Sequence, residues 1–275
     1  MLRHGRFILI ALALGLLAIG SIASAQQSTW DAIMERGSIR LGAASSDPWY
    51  FKDPLTNEWD GLGVRLGEAL ADDLGVDLEI VETSYGNAVA AMQADRIDVM
   101  FVLDATPERA ESIDFIDGPL FMYSLAVLHD EDFEVTTWDD LDSPDVSVGV
   151  TLGTSIDSGL TERLPNANIG RYPSNDETVA SFQSGRSDAV AIFAPALTMM
   201  QLRIGRGVIT LPEPVQSNAT SAGFRREEDS RWGDYLNETL SEYYTSGKTQ
   251  ELYEAYLDSR GVDPTTVPGL GGGDQ

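Results

Sequence analysis

The order of apolar patterns along the chain predicts an α/β fold of two lobes, each a mostly parallel sheet flanked by helices. Three observations carry that expectation. Helical periods alternate with short apolar runs of strand character over nearly the whole sequence. The alternation breaks at Ser143-Pro144 and then starts again. One pattern also recurs on both sides of the break: Ala94-Asp95-Arg96-Ile97-Asp98-Val99-Met100 parallels Ser184-Gly185-Arg186-Ser187-Asp188-Ala189-Val190. Each is a helix end, then x-R-x-D, then an apolar strand, as expected of two units of similar construction.

The elements follow in order. Trp30–Arg36 reads as a short helix capped by Ser28 or Thr29 and stopped by Gly37, with Ser38–Ala43 as the next strand. Residues 45–60 are rich in Pro, Asp and aromatics and read as loop or hairpin. Leu62, Leu66, Ala69, Leu70 and Leu74 keep a helical period across Gly61–Leu74, with Gly75 as its C-cap. Asp77–Val81 is predicted as a strand, Asn87–Ala94 as a helix and Asp98–Val102 as a buried strand. After the break come a strand at Val146–Val150, a helix at Ser155–Leu164 and a short strand at Arg171-Tyr172. A helix at Asp176–Ser184 and a buried strand at Asp188–Phe193 complete that unit. Ala222–Arg225 starts like a strand, and helices around Ser230–Ser246 and near Gln250–Asp258 follow.

Composition removes several classes of function. The 275 residues carry 18 Lys and Arg against 44 Asp and Glu, a formal net charge of −26. A nucleic acid would be repelled by such a chain rather than bound by counterion release. There is no cysteine, which excludes disulfides, thiolate metal sites and a cysteine nucleophile. Only His4 and His129 are present, so most histidine-dependent catalysis is out of reach. The acids are scattered, and neither a metal site nor a cofactor is expected.

The N-terminus reads as an address. Arg3 and Arg6 precede the charge-free run Phe7–Gly20, and Ala23 and Ala25 hold the small-residue positions before a cut. Together these make a secretory signal peptide over residues 1–25. The apolar run is short for a membrane span and no second one follows. With no cysteine at the cut, the mature chain is expected to be a soluble exported monomer, not a lipoprotein. The glycine-rich end, 268–275, is expected to be disordered.

Three features point to chemistry. Thr106 as N-cap with Pro107 at the first helical position puts Arg109 in a first turn. A cation there opposes the helix dipole, so it makes best sense gripping a carboxylate; the other reading is a surface pair with Glu108, Glu111 or Asp114. Gly153-Thr154-Ser155 opens a helix, either as an anion site or as simple capping by Thr154. Trp49, Tyr50 and Phe51 are aromatics dense enough in a loop to line a cleft or to form a small core.

The order and spacing of these features resemble the family 3 solute-binding proteins, the periplasmic receptors of polar amino-acid ABC transporters. The landmarks are Gly37–Gly42, Asp60–Leu66, Ala69–Val76, Thr106–Arg109 with Ile113-Asp114-Phe115, Val148–Val150 leading to Gly153-Thr154, and Gly185–Ala189. The resemblance implies a type II periplasmic-binding-protein fold, with two α/β lobes joined by two hinge strands and closing on a ligand between them. It places one lobe at 26–124 plus 220–267, the other at 125–219, and the hinges near Ser124–His129 and Ser217–Gly223. It implies that Arg109 binds the ligand's carboxylate, that Gly153 and Thr154 assist, and that Trp49 or Tyr50 lines the cleft. The implied function is capture of an amino acid or related carboxylate in the periplasm and delivery to a membrane ABC permease.

Two departures from the family pattern stand in the sequence. Asp104 occupies a position where the family has Ser or Thr, and Phe193 one where many members place an Asp on the ligand's amine. Gly63 also replaces an acidic residue, and Arg65 another. Either Asp104 supplies the carboxylate for an amine, which is the expectation, or the ligand is a carboxylate without an α-amine. The same resemblance leaves two other functions in view. One is an exported interaction partner like the family-3-like proteins associated with quinoprotein dehydrogenases. The other is a cyclohexadienyl-dehydratase-like enzyme, which turnover of prephenate or arogenate would reveal.

Overall fold

Two sheets organise the chain in the computed structural model, which describes residues 27–268. The expected leader at 1–25 and the tail beyond Pro268 lie outside those residues. The first unit opens with α1 (Thr29–Arg36), β1 (Ser38–Ala43), the hairpin β2 (Phe51–Lys52) and β3 (Trp59–Asp60), α2 (Leu62–Leu74) and β4 (Asp77–Glu82). It continues through α3 (Ala88–Gln93), β5 (Val99–Phe101), the single turn α4 (Pro107–Ala110) and β6 (Asp114–Phe115). The long strand β7 (Phe121–His129) then carries the chain into the second unit. That unit holds β8 (Ser147–Thr151), α5 (Ser155–Arg163), β9 (Asn168–Tyr172), α6 (Asn175–Gln183), β10 (Ala189–Phe193), α7 (Ala194–Ile204) and β11 (Val208–Thr210). The chain returns through β12 (Ser217–Thr220) to β13 (Ala222–Phe224), and ends in α8 (Arg231–Thr245) and α9 (Lys248–Ser259).

The first sheet has the order β4-β1-β5-β13-β6. Its β1 runs parallel to β4 and β5, while β13 pairs antiparallel with β5 and β6. The second has the order β11-β7-β10-β8-β9, with β10, β8 and β9 parallel. Between the sheets, Phe121–Ser124 of β7 pairs antiparallel with Ser217–Thr220 of β12. That ribbon is the double link of a two-lobed α/β fold.

Most elements lie where the periodicity places them. Leu62, Val64, Leu66 and Leu70 are all buried on the inner face of α2, each contributing about 1.5–3 kcal/mol by removal from water. Gly75 closes that helix in the left-handed region, with its N–H on the Ala71 and Asp72 carbonyls. One helix escapes sequence reading. α7 has the burial of a core segment along Ala194–Met200, so no polar face interrupts the run that starts in β10 and no period marks where strand becomes helix. Pro195 in the first turn is the local sign of the change.

Candidate functional site

The two lobes face each other across a cavity lined from both sides. From the first lobe come Ser46, Trp49, Tyr85, Asp104 and Arg109; from the second, Thr154, Ser155, Asn175 and Phe193; Tyr123 stands on the connecting ribbon.

Arg109 is built as its sequence implies. The Thr106 hydroxyl accepts the Arg109 N–H at 3.3 Å and Pro107 starts the turn. The side chain is buried, 8% exposed. Its Nη1 donates to the Asp104 carbonyl at 2.9 Å and its Nη2 to the Gly153 carbonyl of the other lobe at 2.7 Å. Asp114, one of the acids that could have held it, is paired with Arg226 at 2.7 Å. Among the described residues Arg109 forms no ion pair with a carboxylate. Burial pushes its pKa down, and the nearby Asp104 charge works in the opposite direction.

Asp104 joins both walls. Its Oδ1 accepts from the Tyr123 hydroxyl at 2.7 Å, and its Oδ2 accepts a short bond from Ser155 Oγ across the cleft. Burial, reinforced by the Asp104 charge, pushes the Tyr123 phenol well above its usual range, so Tyr123 stays a neutral donor. A second crossing bond runs from Asn175 Nδ2 to Ser46 Oγ at 2.7 Å, with the Thr151 hydroxyl donating to the Asn175 carbonyl oxygen. Trp49 and Phe193 pack on the Tyr123 ring, with centroids 5.4 and 3.9 Å away.

Strained backbone sits beside these groups. Val102 lines the cavity at φ 52°, a left-handed conformation that costs a β-branched residue on the order of 1–3 kcal/mol. Gly153 adopts φ 74°, and a Cβ there would lie 3.0 Å from the Gly86 Cα of the facing lobe. Only glycine suits that approach.

Of the candidates read from sequence, Asp104, Arg109, Thr154, Trp49 and Phe193 line one cavity. Gly153 borders it through its carbonyl on Arg109. Its N–H is directed to Asp157 Oδ2 at 3.2 Å, and Thr154 caps α5. Tyr50 turns into the core instead, with its hydroxyl on the Phe101 carbonyl at 2.8 Å. Its ring explains Gly63, where an added Cβ would fall 2.4 Å from Tyr50 carbons. Arg65 is spent on Asp60 at 2.7 Å. Sequence reasoning missed Ser46, Tyr85, Tyr123, Ser155 and Asn175 as lining residues. Ser155 had a signal, its place at the opening of α5; the others become neighbours only when the lobes meet. Among the described residues no group of three or more His, Asp or Glu side chains could hold a metal ion.

The sequence profile of the bacterial extracellular solute-binding proteins, family 3, matches residues 39–259. The chain belongs to that family. Among relatives of this family 3 protein, the L-cystine-binding protein TcyJ of Escherichia coli is 23% identical over 92% of this chain and 94% of its own length. The cyclohexadienyl dehydratase of Pseudomonas aeruginosa is 25% identical over 93% and 96%. Among solved structures, the ancestral amino acid-binding protein AncCDT-1, a precursor of cyclohexadienyl dehydratase, superposes with a TM-score of 0.75 at 30% identity, covering 83% of this chain and 99% of that one. The solute receptor for L-cysteine of Neisseria gonorrhoeae shares the fold with a TM-score of 0.76 at 24% identity, covering 86% and 98%. These neighbours are type II periplasmic binding proteins, and this chain has their two-lobed α/β fold. The family consists mostly of non-enzymatic, extracytoplasmic binding proteins.

Proposed function

We propose that this protein captures an amino acid between its lobes outside the cytoplasm and delivers it to a membrane ABC permease. One observation carries the reading: among the described residues, the buried guanidinium of Arg109 at the lobe interface has two carbonyl partners and no carboxylate partner. A cation desolvated in this way gains most from an anionic ligand, and the planar fork of Arg109 suits a carboxylate held through two parallel bonds. Asp104, with Tyr123 and Ser155 donating to it, supplies the negative pole for the ligand's ammonium. Thr154 and Ser155 at the start of α5 and the ring of Trp49 complete the ligand shell. Relatives named for binding cystine, glutamate and arginine support the amino-acid class. The leader read at 1–25 supports export to the periplasm. Lobe boundaries at 26–124 plus 220–267 and at 125–219 put the moving joint in the β7–β12 ribbon, so that ligand closes the cleft by rotation there.

A thermal-shift panel tests this by pairing each amino acid with its des-amino acid on the parent protein and on Asp104→Asn. Saturation at about 100 times Kd stabilises by roughly 2.7 kcal/mol. Amino acids should give shifts that shrink in Asp104→Asn. Shifts from the des-amino acids alone, undiminished in the variant, reject the ammonium role of Asp104. Asp104 also favours a second reading, since a carboxylate in a closed cavity is what a dehydratase needs as acid or base. Turnover of a cyclohexadienyl substrate by the purified protein, lost in Asp104→Asn, would establish that reading over the first.

A further inference from the structure

We propose that the cavity selects amino acids with uncharged side chains and rejects those with a second carboxylate or a second cation. The inference rests on the amino-acid reading above and concerns the part of the ligand beyond its headgroup. Among the described residues, Asp104 and Arg109 are the only charged side chains lining the cavity. A zwitterionic headgroup, one carboxylate and one ammonium, uses both and leaves no counter-charge for anything further along the ligand.

What remains of the wall is neutral. Trp49, Phe193, Ile156, Ile192 and Val102 present ring and aliphatic surface, all buried. The polar groups among them already have partners. Asn175 donates to Ser46 and accepts from Thr151, and the Thr154 hydroxyl donates to the Thr151 carbonyl at 2.7 Å. The acid next outward along α5, Asp157, is held by Arg171 at 2.8 Å and by the Gly153 N–H. A glutamate or arginine side chain enclosed here would lose its water without gaining an ion pair, and an uncompensated buried charge is strongly penalised.

Calorimetric titration of the mature protein, stripped of endogenous ligand by unfolding and refolding, reads the outcome directly. The panel is alanine, valine and glutamine against aspartate, glutamate, lysine and arginine. We expect the best neutral amino acid to bind about a hundredfold or more tighter than every charged one. A charged amino acid that matches the best neutral one overturns the inference and leaves the amino-acid reading standing. No binding by any amino acid at millimolar concentration overturns both. Ile156→Asp then tests the cause. Its carboxylate adds a counter-charge to the wall in the first turn of α5, where the helix dipole favours an acid and Asp157 already stands. The gap between lysine and the best neutral ligand should narrow by about tenfold or more. A gap left unchanged in a folded variant means that something other than missing counter-charge sets the selectivity.

Discussion

In the first lobe the turn from α3 to β5 passes through Asp95 at φ 53°; in the second the turn from α6 to β10 passes through Gly185 at φ 70°. The hydrogen bonds match: Asp95 N–H to Met92 and Arg96 N–H to Ala91, against Gly185 N–H to Phe182 and Arg186 N–H to Ser181. The aspartate that ends each turn bridges to the neighbouring strand in the same way. Asp98 exchanges backbone and carboxylate bonds with Arg40, and Asp188 does so with Ser147. The surroundings differ. Asp98 is 1% exposed and also holds Arg36 at 2.5 Å and the Arg40 guanidinium at 2.7 Å, whereas Asp188 is exposed and adds only the Ser147 hydroxyl. The cavity repeats the contrast, since among the described residues both charged side chains that line it, Asp104 and Arg109, come from the first lobe. One backbone solution thus serves two electrostatic designs, and the same substitution should carry different weight in each.

The largest effect expected from that contrast is on folding. Asp98→Ala leaves two arginines without a buried carboxylate and should cost about 3–5 kcal/mol, while Asp188→Ala, losing two bonds from uncharged donors near solvent, should cost about 1 kcal/mol. Urea midpoints measure both, and equal losses would break the comparison. Arg109→Ala should leave that midpoint nearly unchanged yet weaken ligand binding on the order of a hundredfold. Arg109→Lys should recover little, because a point charge lacks the planar fork.

Smaller effects sharpen the picture. Gly185→Ala forces a Cβ into the left-handed region and should cost about 1 kcal/mol, although nothing in the packing opposes the methyl itself. Asn175→Ala removes the bond from the second lobe to Ser46 and should lower affinity about fivefold, by roughly 1 kcal/mol taken from the closed form. An unaffected Kd would mean that the crossing bond does not bias closure.

The smallest effect is a pH dependence. Burial raises the Asp47 pKa, with the Tyr256 hydroxyl and Arg260 opposing it. The folded state therefore holds this proton more tightly than the unfolded chain. The resulting stabilisation is present below the unfolded value of about 4 and is lost as pH rises through the higher folded value. Asp47→Asn should accordingly gain stability relative to the parent as pH rises from acid to neutral, by less than about 1 kcal/mol. A relative stability that stays level across that range would show that the carboxylate is not shifted in the direction described.

Much was decided locally and could be read from sequence. Leu62, Leu66 and Leu70 recur with the helical period and lie on one buried face, while Gly37 and Gly75 stop their helices because an open φ is a property of the residue itself. Thr106-Pro107 placed Arg109 in a first turn for the same reason: caps act within four residues. Tertiary structure decided the rest. Whether Trp49 or Tyr50 faces the cavity depends on a pocket that Gly63 leaves for the Tyr50 ring. Whether Arg109 meets a surface acid or the opposite lobe depends on where Gly153 arrives. Ser46 and Asn175 lie far apart in the chain, and each looks like an ordinary loop or helix-start residue there; only the approach of two separately folded sheets makes them partners. Periodicity and capping are short-range forces, written in adjacent residues. A site shared between lobes is set by how two finished surfaces meet, and no local pattern encodes that.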